Sequence, residues 1–258
     1  MLLTIDVGNT NNTLGIFDGK KLVATFRMTT SQSRTSDEYG MVMCELLEHS
    51  QIAVEDITDA IIASVVPNIM HSLTGAIVKY FHTRPIIIET GTRTGIRVKS
   101  QNPQQIGADR IVDAAAVYSL YGGPAIVADY GTATTFDLVD DTGTFTACVI
   151  APGIRTSAQA LWTQTAKLPE FEIRKPESIL AQDTITGMQA GIMYGQIGQT
   201  EYIVKKIKEE SGFLNAKVVA TGGLGRLIEK ETDAIDVYDP ILILKGMEII
   251  FEKQKKRA

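Results

Sequence analysis

Apolar and polar positions fall into three short blocks over the first thirty residues. Residues 2–7 form an apolar run interrupted at Asp6, and Gly8-Asn9-Thr10 supplies turn chemistry. Thr13 to Phe17 resumes the strand pattern, Asp18-Gly19 reads as a hairpin turn, and Leu22 to Phe26 completes a meander of three strands. The pattern then changes period. Ser36 and Asp37 mark a helix start, with Tyr39, Val42, Met43, Leu46 and Leu47 on its apolar face. Residues 59–66 read as a buried strand, 67–81 as a helix and 85–89 as a strand.

The second half begins as the first does. Residues 125–136 repeat an apolar strand, an Asp-x-Gly and a small polar loop leading to another strand. A turn at 140–143 and a third strand at 144–150 complete a second meander. Helices are expected over 154–166 and 184–211, a strand over 217–220, a helix after Leu224, a strand near 234–237 and a last helix from Pro240. Such a duplication places Asp6 and Asp129 in equivalent loops of two similar halves. The layout resembles that of actin-like ATPases and sugar kinases. The fold expected is therefore α/β, with duplicated actin-like (ribonuclease H-like) halves spanning 1–118 and 119–258. Each half carries a mixed five-stranded sheet with flanking helices, and an ATP cleft lies between them.

The glycine-bearing loop at 8–10 joins strand to strand. Rossmann and Walker sites instead need a glycine loop that opens a helix. The nearest lookalike, Gly15 to Lys21, has the wrong spacing and no Ser or Thr after its lysine. Composition narrows the partners. The 258 residues carry 25 Lys+Arg against 30 Asp+Glu, a formal charge of -5, which gives no overall attraction for nucleic acid or an anionic membrane. No apolar stretch is long enough to span a bilayer, and the start has no basic leader, so a cytoplasmic protein is expected. Cys44 and Cys148 are expected to be buried, reduced thiols. His49, His71 and His82 lack metal-ligand spacing and read as surface residues near helix ends. The cluster from Lys253 to Arg257 reads as a solvated helix end.

Phosphoryl transfer asks for a held metal-triphosphate, an oriented hydroxyl and stabilised charge. Asp6, at a strand end, suits a hydrated Mg²⁺. Gly8 permits close backbone approach, and Asn9, Thr10, Asn11 and Asn12 offer neutral donors. Alone, this run would equally make a tight hairpin, but its recurrence at Asp129-Tyr130-Gly131-Thr132 favours function. Thr221-Gly222-Gly223 follows an apolar strand and leads to a helix, which suits a flat nucleoside against bare backbone or a plain flexible connection. Gly107-Ala108-Asp109-Arg110 opens an amphipathic helix. On spacing alone Asp109 reads as a dipole contact and surface ion pair, yet it is also the best carboxylate outside the two loops to take the acceptor's proton. Three carboxylates in one cleft would repel one another, which predicts metal dependence.

Together these four motifs resemble type III pantothenate kinases in order and spacing. The likeness extends to Pro152-Gly153, Ser157, Ala160-Leu161, Leu168-Pro169, Asp183-Thr184 and Met188 to Gly191. The resemblance implies transfer of the ATP γ-phosphoryl group to the primary hydroxyl of pantothenate, the opening step of coenzyme A synthesis. It implies Asp109 as proton acceptor, and Asp129 as ligand of a monovalent cation, K⁺ or NH₄⁺, beside the Mg²⁺ expected at Asp6. Residues Asp6, Val7, Gly8, Asn9, Thr10, Asn11, Asn12 and Thr13 would lie with Thr132 around the phosphates, and Gly222-Gly223 along the nucleoside. Gly107, Ala108, Asp109, Arg110 and Thr184 would hold pantothenate, in a homodimer with its substrate pocket near the interface. Ser100 departs from the family, which often has a tyrosine there. A kinase for another small hydroxylated acceptor on the same fold, or an ATP-binding regulatory protein, remains as an alternative.

Overall fold

The computed structural model describes residues 1–255. Two compact units emerge. The first comprises residues 1–96, 101–116 and the chain from 242 on, and the second residues 97–100 and 117–241.

In the first unit, β1 (Leu2–Val7) lies between antiparallel β2 (Asn11–Asp18) and parallel β4 (Asp59–Ser64), with β3 (Lys21–Thr29) outside β2 and β5 (Ile86–Ile87) outside β4. Strand alternation sorts β1 between two faces. Leu3, Ile5 and Val7 join a core with Tyr39, Met43, Leu73 and Ile77 of helices α1 (Ser36–His49) and α2 (Met70–Phe81). Thr4 and Asp6 face the other way, where the Thr4 hydroxyl donates to the Gly15 carbonyl at 3.1 Å. That face meets α7 (Leu242–Lys255): a Cβ on Gly15 would stand 3.0 Å from a Leu244 methyl. Thr35 caps α1 reciprocally with Glu38, and so fixes the helix start one residue ahead of Ser36.

The second unit repeats the plan. β7 (Ala125–Tyr130) lies between antiparallel β8 (Ala133–Val139) and parallel β10 (Lys217–Thr221), flanked by β9 (Thr144–Pro152) and β11 (Val237–Tyr238). Its core side carries Ile126, Ala128 and Tyr130, packed with Phe136 and with Met193 and Ile197 of α5 (Thr184–Ser211). α4 (Ile154–Thr163) adds Ile154 and Ala158, and α6 (Gly225–Glu229) adds Ile228. Helix α3 (Ala108–Tyr121) has residues in both units.

The strand order β3-β2-β1-β4-β5 thus recurs as β9-β8-β7-β10-β11, the duplication expected from the two meanders. Four details differ from expectation. The second sheet has six strands, because β6 (Arg97–Val98) pairs in parallel with the start of β9. That two-residue strand has no periodicity to announce it. The units are also discontinuous in sequence: α7, placed with 119–258 by the sequence, belongs to the first unit, where Leu244 packs beside Thr4 and Gly15.

Cys148 is exposed and not buried, while Cys44 is half-buried with its thiol pushed up by burial. The reason lies in β9, where residues 147–150 are exposed on both faces beyond the reach of β6, so an apolar run has no cover. Nor is the C-terminal cluster merely solvated. Lys253 is partly buried, its ammonium donates to the Thr94 carbonyl at 3.1 Å, and burial with nearby Arg93 pushes its pKa down. Lys256 and Arg257 lie outside the described residues. His49, His71 and His82 are exposed, as expected.

Candidate active site

Asp6 and Asp129 occupy the same topological place. Each is the penultimate residue of its unit's central strand, half-buried, on the face opposite the large helical core. Each stands directly across from a threonine of the antiparallel neighbour, Thr13 for Asp6 and Thr135 for Asp129. The Thr135 hydroxyl is buried without a hydrogen-bond partner. Thr135 was not foreseen as a site residue, although counting the second hairpin in register with the first would have found it.

The loop after Asp6 is a tight turn in which the Gly8 N–H donates to the Asn11 carbonyl at 3.1 Å. Asn9, Thr10 and Asn11 are exposed at its tip, and Thr13 is half-buried beside Asp6. Val7 and Asn12 differ. They pair with each other on the α1–α2 face, opposite Asp6, and Asn12 is only 1% exposed. Their side chains support the loop from behind, and only their backbone is available to a ligand on the Asp6 side.

Asp109 belongs to the same unit. The Val65 N–H donates to the Val7 carbonyl at 3.1 Å, and Gly107 packs over the Val65 side chain. A Cβ at Gly107 would lie 2.3 Å from Asp109 Oδ1, so the carboxylate rests against bare backbone and only glycine fits. Burial pushes the Asp109 carboxyl above its ordinary value, although the Arg110 N–H, which it accepts at 2.8 Å, and the Arg110 charge pull it down. A carboxylate in the first turn of a helix whose basicity burial has raised is suited to receive a proton. The plain ion-pair reading does not account for that burial.

In the second unit, Gly222 and Gly131 lie against Asp129, and Gly153 packs on the loop that follows it. β10 runs parallel to β7 with Thr221 level with Asp129, which delivers Gly222 onto the carboxylate. Gly222 has φ +85°, and a Cβ there would stand 2.4 Å from Asp129 Oδ1 and 2.7 Å from the Tyr130 backbone. Gly131 and Thr132 turn their carbonyls toward Gly153, where a Cβ would meet them at 2.5 and 2.4 Å. The Thr132 carbonyl accepts from the Gly153 N–H at 3.2 Å and the Thr156 hydroxyl at 2.7 Å. The Thr132 N–H shares a trans peptide with the Gly131 carbonyl, which turns toward Gly153, so that N–H points away from the start of α4. Gly223 is exposed beside Gly222.

Thr184 is exposed at the start of α5, just after its cap Asp183, which accepts the Thr186 N–H at 2.9 Å and the Thr186 hydroxyl at 2.6 Å. Ser100 is exposed in the irregular stretch after β6. Among the described residues, no group of three or more His, Cys, Asp or Glu is arranged to hold a metal. Single strand-end carboxylates still fit Mg²⁺, which keeps waters and takes its other ligands from substrate phosphates.

The model of one family, the type III pantothenate kinases, matches residues 2–206. The chain belongs to that family. It is 62% identical over 258 residues, all of this chain and 99% of the other, to the type III pantothenate kinase of Agathobacter rectalis. A Campylobacter jejuni structure assigned to the Baf family of transcriptional activators superposes with a TM-score of 0.63 at 20% identity, covering 98% of this chain and 99% of that one. The ROK hexokinase of Thermus thermophilus gives 0.51 at 10% identity, over 98% and 99%. These two likenesses speak for the fold alone, and they bear out the duplicated actin-like architecture.

Proposed function

We propose that the protein transfers the γ-phosphoryl group of ATP to the primary hydroxyl of pantothenate, giving 4′-phosphopantothenate for coenzyme A synthesis. The observation that carries this reading is the 62% identity to a type III pantothenate kinase along the full length of both chains. The duplicated Asp loops and the half-buried Asp109 supply chemistry of the right kind.

Asp109 accepts the proton of the attacking hydroxyl, while Gly107, Ala108, Arg110 and Thr184 orient the acceptor. N–H groups of the loop after Gly8 and of Thr132 hold the phosphate oxygens, and Gly222-Gly223 gives the nucleoside a surface without side chains. Asp6 would hold Mg²⁺ and Asp129 a monovalent cation. These ions supply charge neutralisation on the transferring phosphoryl group. The chain acts in the cytoplasm as a homodimer. The uncovered apolar run 147–150 supports a second copy, as do the exposed α5 glycines Gly191, Gly195 and Gly198, where a Cβ would meet nothing within 4 Å.

The test is ATP turnover by the purified chain with Mg²⁺ and K⁺, with and without pantothenate, with the product followed by mass. Phosphopantothenate formed only when both substrates are present is the expected result. ATP turnover without that product refutes the acceptor assignment and turns the search to other hydroxylated molecules.

A further inference from the structure

Two-residue hairpin turns hold themselves in the primed conformations, which put one or both central residues at positive φ and so match the twist of the strands. Asn9 and Thr10 are the central residues between β1 and β2, and neither adopts positive φ. Among the described residues the non-glycine positions that do are Gln51 and His82, and Gly8 does not either. A turn of this kind tends to splay its strands unless something outside it holds it.

Thr30, just past the end of β3, supplies that hold at three points. Its N–H donates to the Thr10 carbonyl at 3.0 Å, and its hydroxyl lies 2.6 Å from the Gly8 carbonyl and 2.9 Å from Asn12 Oδ1. Residues 8, 10 and 12 are thus all tied to one residue. The tie has firm backing, since the hydroxyl of fully buried Tyr39 in α1 donates to the carbonyl of Ser31 at 3.0 Å.

A hydroxyl has one proton and can serve one of these acceptors at a time. The buried Asn12 Nδ2 has no partner. Turning the carboxamide half a revolution keeps its shape, lets Nδ2 donate to Thr30 Oγ1, and sends the hydroxyl proton to the Gly8 carbonyl. With the hydroxyl proton on it at 2.6 Å, the Gly8 carbonyl is drawn toward Thr30, and the N–H of Asn9, on the opposite side of the same trans peptide, faces away from it.

We infer that Thr30 is a positioning residue for the phosphate loop: its hydroxyl fixes the Gly8–Asn9 peptide so that the Asn9 N–H is presented to the triphosphate. Thr30 itself does not touch the nucleotide. The inference rests on the reading of residues 6–13 as that loop.

The test compares Thr30→Val, which removes the hydroxyl at nearly constant shape, with Thr30→Ser, which keeps it. The full-length chains are used, with Mg²⁺ and a non-hydrolysable ATP analogue titrated by calorimetry. Thr30→Val is expected to bind the analogue about 10-fold more weakly and to lose roughly 10- to 100-fold in kcat/KM for ATP, the scale of a misplaced positioning group. KM for pantothenate stays unchanged, and Thr30→Ser restores the nucleotide values. Wild-type nucleotide affinity in Thr30→Val overturns the inference and leaves the pantothenate reading intact. A loss shared equally by both substrates, or one that Ser does not rescue, makes Thr30 a merely structural residue and also overturns it. A wild-type chain that binds no analogue refutes the loop reading itself. Should Thr30→Val not fold, Thr30→Ala carries the same expectations.

Discussion

Gly222→Ala tests whether the Asp129 site is built on backbone contact. Two costs add. At φ +85° an L side chain is strained by about 1–2 kcal/mol. The new methyl would also lie 2.4 Å from Asp129 Oδ1 and 2.7 Å from Tyr130 N and C, and the Tyr130 backbone is fixed in the central strand. Overpacking of that kind costs about 1–3 kcal/mol. The sum, roughly 2–5 kcal/mol, corresponds to a Tm lower by roughly 5–15 °C. Of the groups crowded, only the Asp129 carboxylate can move, so activity should fall by about 10²-fold. Gly212→Ala is the control: its φ is +78° and a Cβ there meets nothing within 4 Å, so it suffers the backbone strain alone. Calorimetry and turnover on both variants separate the two costs. Equal losses of Tm in the two, with full activity in Gly222→Ala, would refute the packing argument.

Asp109→Asn should lower kcat by about 10²- to 10⁴-fold while keeping the fold. Burial raises the folded pKa of Asp109 above its unfolded value, so the native state binds the proton more tightly, and stability declines as pH rises through that interval. At neutral pH the neutral Asn variant should therefore melt higher than wild type, and an equal or lower Tm counts against the burial argument. Tyr121 and Tyr130 are both pushed from 10.0 up to about 12, chiefly by burial. Because unfolding releases these protons, urea midpoints should fall between pH 10 and 12, and Tyr130→Phe should soften the fall; a flat profile would contradict it. Gly246→Ala should destabilise the first unit by about 1–3 kcal/mol, since its Cβ would lie 2.6 Å from the Val112 carbonyl; an unchanged urea midpoint would show that α7 can shift.

The meanders were legible because short apolar runs bounded by turn residues announce strands, and α5 because a cap, a long helical run and a terminal glycine agree at Thr184 and Ser211. Features that rest on packing were not legible. β6 is two residues long, β5 is cut to Ile86–Ile87, and α7 joins the first unit through contacts far apart in sequence. At the site, Asp6, Asp109 and Asp129 could be named from motif and repetition. The split of residues 6–13 between a ligand-facing tip and a buried support was not, because it depends on which face each residue takes. Cys148 was misjudged for a related reason: strand pattern gives a residue's face but not whether anything covers it.

Because the chain passes between the two units four times, at 96/97, 100/101, 116/117 and 241/242, the ancestral repeat can no longer be cut back out of the gene. A fragment ending at residue 118 would leave one face of its first sheet without α7, exposing Leu2 and Ile61 to water. The complementary fragment would carry α7 with no sheet to cover. A chain cut after Ile241 and not at the midpoint, with the last helix supplied as a short peptide, would be the pair to try for complementation.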